Sequence, residues 1–198
     1  KEDIMTKEER NALLYKPQNG LDRISAVEEA EMNDYCEQYK AFLDVSKTER
    51  ECVVSAIRLA EAKGFKPYTP GMAVAPGDKL YYNNRGKAIM LMIIGQKPLS
   101  AGANIGAAHT DSPRLDLKPN PLYEDAELAY LKTHHYGGIR KYQWVTVPLE
   151  LHGLVVRRDG SEVYVKIGDD PKDPQLVIND LLPHLGREQG KKPLNEAI

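Results

Sequence analysis

Cysteine is scarce in this chain, and the little there is carries no pattern. Cys36 and Cys52 are the only two, which gives neither a zinc-finger spacing nor the density of a secreted disulfide scaffold. They read as free thiols, buried or partly buried on helical segments, in a reducing compartment. An excess of one charge is missing as well: 27 basic residues against 29 acidic ones leave a formal charge of −2. Nucleic-acid binding needs a clustered basic surface, and the basic pairs Arg157-Arg158 and Lys191-Lys192 have acids close by, so no nucleic-acid partner is expected. Long hydrophobic runs are also absent. The longest, residues 88–95, falls far short of the ~20 apolar residues that span a bilayer, so no membrane partner is expected. The charged opening Lys1-Glu2-Asp3-Ile4-Met5 has no apolar stretch of a secretion signal behind it. A cytoplasmic protein is the expectation, and a first residue other than Met points to processing or an incomplete chain.

What is present is ordinary in amount: 41% hydrophobic and 28% charged residues over 198 positions suit one full domain or two small ones. Residues 1–22 are polar, broken by Pro17 and Gly20, and read as an arm or poorly ordered segment. Residues 25–45 carry a helical pattern, with Val27, Tyr35, Tyr39, Phe42 and Leu43 recurring near one face. Ser46-Lys47-Thr48-Glu49 fits a capping box, Ser46 pairing with Glu49. The helix it opens carries Val53, Ala56, Ile57 and Ala60 on one stripe and stops at Gly64. After a Pro/Gly-rich stretch, residues 79–82 lead through Asn83-Asn84-Arg85-Gly86 into residues 88–94, whose unbroken apolar run suits a strand buried on both faces. Residues 103–108 read as a second buried strand delivering His109 at its carboxyl end. Helices followed by closely spaced buried strands predict an α/β domain packed on a sheet.

Beyond Pro121 the composition shifts. Residues 143–156 and 162–167 are rich in β-branched and aromatic residues, with Arg157-Arg158-Asp159-Gly160 as a hairpin turn between them. A second, β-rich domain or large insertion follows from this. Residues 176–189 have the composition of a short helix.

The segment His109-Thr110-Asp111-Ser112-Pro113-Arg114 holds the best case for chemistry. A His leaving a strand presents its imidazole at the carboxyl edge of a sheet, where α/β proteins place ligands. An Asp two residues later lies on the same side of an extended chain and can orient the ring, since metal-bound histidines donate their other N–H to such an acceptor. Pro113 fixes the backbone direction just past it. The competing reading is a His that caps a strand or satisfies a buried polar group, because His-x-Asp alone is a common pattern.

His109-Thr110-Asp111-Ser112-Pro113-Arg114, followed in order by Tyr136-Gly137-Gly138, Trp144 and the stretch 149–156, resembles the aspartyl aminopeptidase and aminopeptidase I family of zinc metallopeptidases. The likeness covers most of the chain from about residue 46 onward. It implies an α/β fold: residues 1–122 as the N-terminal part of a mixed-sheet catalytic domain, and residues 123–198 as an incomplete β-rich dimerisation domain inserted into it. It implies that His109 binds one of two catalytic metals, zinc or another divalent ion, and that Asp111 supports it. It also implies peptide substrates and a homo-oligomer built from dimers. His184 falls where the family has a His that reaches into a neighbouring subunit to touch substrate; an exposed helix-end His is the alternative.

Family members are roughly twice this length or more. Their bridging Asp, Glu general base, further ligands and closing His have no counterpart in these residues. A lone imidazole cannot hold two zinc ions, so this chain by itself is expected to be inactive. The rival reading is a non-catalytic assembly or regulatory module that keeps the motif; an amidohydrolase with similar metals fits the Tyr-Gly-Gly and Trp144 context less well. Of the other histidines, His134 and His135 read as solvated loop residues and His152 as a cross-strand packing residue. Asp169, Asp170 and Asp173 lack EF-hand spacing and read as a solvated acidic turn. Tyr142 and Trp144 read as packing residues.

Overall fold

Every serine and threonine in the first 51 residues stands three places before a glutamate, and three of the four pairs open a helix. The computed structural model describes residues 5–197, which form two compact units, one ending at Asp44 and the other beginning at Val45. In the first unit the Thr6 hydroxyl accepts from the Glu9 amide and the Glu9 carboxylate accepts from the Thr6 amide, starting α1 (Lys7–Leu13). Ser25 and Glu28 repeat the exchange at the start of α2 (Ala26–Asp44). The expected arm therefore contains a helix, fully exposed, because two satisfied N-terminal amides suffice to start one turn. Residues 1–4 of that arm lie outside the described residues. No residue of α2 is buried; Val27, Tyr35, Tyr39 and Leu43 are exposed. So is Cys36, contrary to the expected burial, whereas Cys52 is half-buried and both are free.

The second unit opens on a choice between two overlapping frames. Thr48 and Glu51, not Ser46 and Glu49, form the capping box of α3 (Glu49–Ala62). Ser46 is buried, and its Oγ has no hydrogen-bond partner among the described residues. The box thus sits two residues later than expected; from Thr48 the helix places Val53 and Ala60 inward, both buried. Gly64, at φ 82°, ends it as expected.

Three strands pack beside α3: β1 (Lys66–Pro67), β2 (Lys79–Asn84) and β3 (Ala88–Ile93). They lie in the order β1-β2-β3, with β1 parallel and β3 antiparallel to β2. Leu80 of β2 is buried, and Tyr81 donates to Glu61 of α3 at 2.8 Å. The predicted hairpin is present, but β3 is not buried on both faces: it is the sheet edge, and Met90, Leu91 and Ile93 are exposed. Residues 103–108 form no strand and are exposed; no described segment pairs with their backbone, which corrects the buried strand expected there.

Next come β4 (Arg114–Asp125) and β5 (Leu128–Tyr136), an antiparallel pair running from Arg114↔Tyr136 to Asp125↔Leu128. Ala126 and Glu127 turn the hairpin with φ of 49° and 64°, the left-handed pair of a tight two-residue loop. The register slips between Leu117 and Leu122, where Pro119 and Pro121 cannot donate to a ladder. The junction expected after residue 122 falls inside β4. Then β6 (Leu151–Val156) and β7 (Glu162–Ile167) form the predicted hairpin. The strand expected from residue 143 begins only at Leu151; before it, Val145 and Leu149 make single bridges to Ile178 and Leu176. Residues 176–189 form no α-helix; a single 3-10 turn starts at Gln189. Those bridges hold part of the segment extended, and Pro183 disfavours helical backbone at Leu182. Among the described residues no helix is long and apolar enough to cross a membrane.

His152 fastens β6 to α3. Its side chain is 8% exposed, with Nδ1 at 2.7 Å from Glu51 Oε1 and Nε2 at 2.9 Å from Glu150 Oε2. It is thus an electrostatic tie and not a cross-strand packing residue. Burial pushes the Glu51 carboxyl up, but the His152 ring and the Thr48 cap outweigh it and hold the group below the usual carboxylate range.

Candidate metal centre

The turn 109–113 is set by what flanks it. Pro113 restricts its own φ and leads into β4, whose first residue, Arg114, pairs with Tyr136 at the last position of β5. The end of β5 is thereby brought against the His109 motif. Gly137, at φ +77°, allows the chain to leave there: a Cβ on it would stand 3.3 Å from Pro113 Cα and Cβ.

Within this frame His109 Nδ1 lies 2.7 Å from its neighbour's backbone carbonyl, Asp111 O, and 3.3 Å from Asp111 Oδ1. Both partners only accept, so the neutral ring takes the tautomer with its proton on Nδ1 and its lone pair on Nε2. The Nε2 atom has no partner among the described residues, and the side chain is 81% exposed. Asp111 Oδ2 accepts from the Tyr136 hydroxyl at 2.6 Å. That bond, together with the Asp111 backbone and the His109 ring, holds the Asp111 carboxyl below its ordinary range, and the carboxylate in turn pushes the Tyr136 phenol up. The Arg114 guanidinium stacks 4.2 Å from the centre of the Tyr136 ring and donates from Nε to Asp116 Oδ1 at 2.7 Å.

One imidazole nitrogen tied to acceptors while the other stands free is the donor arrangement a divalent metal takes. His109 therefore fits as one ligand. It is not a complete site: among the described residues no three His, Cys, Asp or Glu side chains converge as a metal cage would require. His184 stands on an exposed turn and makes no hydrogen bond or ion pair with any described residue, His109 and Asp111 included. His134 and His135 lie in β5, not in a loop, their rings stacked 5.6 Å apart. Asp173 accepts from the Gly168 amide and Asp169 pairs with Lys166, so the acidic turn is internally used. Tyr142 and Trp144 are half-buried. Tyr136 is the side chain bonded to this motif that sequence reasoning did not assign. Its Asp111 contact depends on the β4–β5 pairing, and the two prolines mask that pairing in the sequence.

Residues 42–198 match the family model described as aminopeptidase I zinc metalloprotease (M18). A probable M18 family aminopeptidase 1 of Clostridium acetobutylicum is 45% identical over 192 residues, 95% of this chain and 41% of the relative. The crystal structure of aminopeptidase I from the same organism superposes with a TM-score of 0.80 at 44% identity, covering 94% of this chain and 41% of the other. The M18 aminopeptidase of Thermotoga maritima does so with 0.81 at 39% identity, covering 92% and 39%. The chain thus spans about two fifths of the length of the curated relatives it matches.

Proposed function

The chain belongs to the M18 family of aminopeptidase I zinc metalloproteases, and from that premise we propose that the complete polypeptide removes N-terminal residues from peptides by two-metal hydrolysis. The chemistry that zinc would supply, when bound, is a water of lowered pKa and a polarised scissile carbonyl. This chain's part is to present His109 Nε2 as one ligand and to fix that ring through Asp111. The remaining ligands and the general base belong to the rest of a family-length polypeptide, so these residues alone are inactive. The supporting observation is the His109 ring itself, with Nδ1 held by Asp111 and Nε2 left free.

In the same reading residues 1–122 are the N-terminal part of the catalytic domain. Residues 123–198 are part of a dimerisation domain, through which copies self-associate and His184 reaches a neighbour's substrate. Free Cys36 and Cys52 suit a cytoplasmic setting. The test is an activity screen of the full-length protein on aminoacyl substrates, with metal content measured alongside. We expect about two zinc-type ions per chain and activity abolished by a chelator. A metal-free protein without peptidase activity would instead be an assembly module.

A further inference from the structure

An aspartate that orients a metal ligand must itself be held, because a free carboxylate rotates among several rotamers. His109 Nδ1 is hydrogen-bonded to the Asp111 backbone carbonyl at 2.7 Å, and one Asp111 carboxylate oxygen flanks it at 3.3 Å. The other carboxylate oxygen is taken by a residue 25 positions away, the Tyr136 hydroxyl, at 2.6 Å. Tyr136 is braced in turn: its backbone is fixed by pairing with Arg114, and its ring is covered by the Arg114 guanidinium at 4.2 Å. The chain turns away at Gly137 with a φ of +77°, where a Cβ would crowd Pro113 at 3.3 Å. These contacts run in one line, from Arg114 through Tyr136 and Asp111 to His109.

We propose that Tyr136 is a positioning residue of the metal centre, which locks the Asp111 carboxylate beside Nδ1 so that the His109 ring keeps the orientation that presents Nε2 to the metal. This rests on the reading of His109 as a ligand, and it adds a role for a side chain that acts through Asp111. The hydroxyl does the positioning and the ring supplies packing, so Tyr136→Phe isolates the effect.

The experiment measures zinc affinity of the full-length protein by competition with a chromogenic chelator, for wild type, Tyr136→Phe, Asp111→Asn, the double variant and His109→Ala. Removing an outer partner of a metal-bound His weakens binding about 10- to 100-fold. Tyr136→Phe is expected at about tenfold, with the unfolding midpoint of the metal-free protein unchanged. Because Tyr136 acts through Asp111, the double variant is expected to bind no more weakly than Asp111→Asn alone. Wild-type affinity in Tyr136→Phe, losses that multiply in the double variant, or a lowered metal-free midpoint would each overturn the proposal. His109→Ala separates the two readings. If it binds zinc as tightly as wild type, the ligand reading fails; if it loses zinc while Tyr136→Phe does not, only the role of Tyr136 fails.

Discussion

Single side chains in this protein act by holding other side chains. His152 stands between two carboxylates, Glu51 and Glu150, at 2.7 and 2.9 Å. His152→Ala removes a ring that is 8% exposed, while Glu51 keeps its Thr48 bonds and Glu150 stays open to water. The expected loss is about 1 kcal/mol of unfolding free energy, measured by urea denaturation; a loss within error of zero would show that the contact contributes nothing. The Glu51 carboxyl is held below its ordinary range in the folded state. Its contribution is therefore present above its unfolded pKa and lost as pH falls through the lower, folded value. Glu51→Gln should lower the thermal midpoint clearly near neutral pH and little at a pH below that value. Equal effects at both would remove the linkage. His109 and Asp111 could be picked out as a pair from their spacing alone. Tyr136 could not, because a bond across 25 residues leaves no local signature.

At the scale of elements, the sequence is clear wherever local chemistry decides the outcome. The helix stop at Gly64, the β2–β3 hairpin and the Arg157–Gly160 turn follow from residue types that few other conformations accommodate. It misleads where two local answers compete. Ser46 and Thr48 both satisfy the capping pattern, and burial selects Thr48. Thr48→Ala is expected to cost about 1 kcal/mol, while Ser46→Ala, removing a buried hydroxyl with no partner among the described residues, should be neutral or stabilising. Chemical denaturation of both variants checks this; a larger cost at Ser46 would return the cap to the first frame. The β4–β5 hairpin was hidden for the opposite reason. Its loop, Ala126-Glu127, takes left-handed backbone without glycine or asparagine, and Pro119 and Pro121 argue against a strand until the register slip makes room for them.

Across the whole molecule, an ordinary share of hydrophobic residues goes with little burial. Among the described residues Val53, Ala60, Leu80 and Val145 are the buried hydrophobic side chains. Meanwhile Leu91 and Ile93 of β3 are exposed, and Ile105 is 88% exposed. The chain spans about two fifths of the length of the curated relatives it matches, and we propose that in a family-length polypeptide further residues cover residues 103–108. Amide hydrogen exchange should find residues 103–108 unprotected in this chain and protected in the full-length protein. Equal protection in both would mean that the remainder does not cover them. The central claim, that His109 is a ligand of a peptidase metal site, is tested most directly by the zinc content and peptidase activity of full-length protein carrying His109→Ala. The expected result is loss of bound zinc together with loss of peptide trimming; retention of both would contradict it.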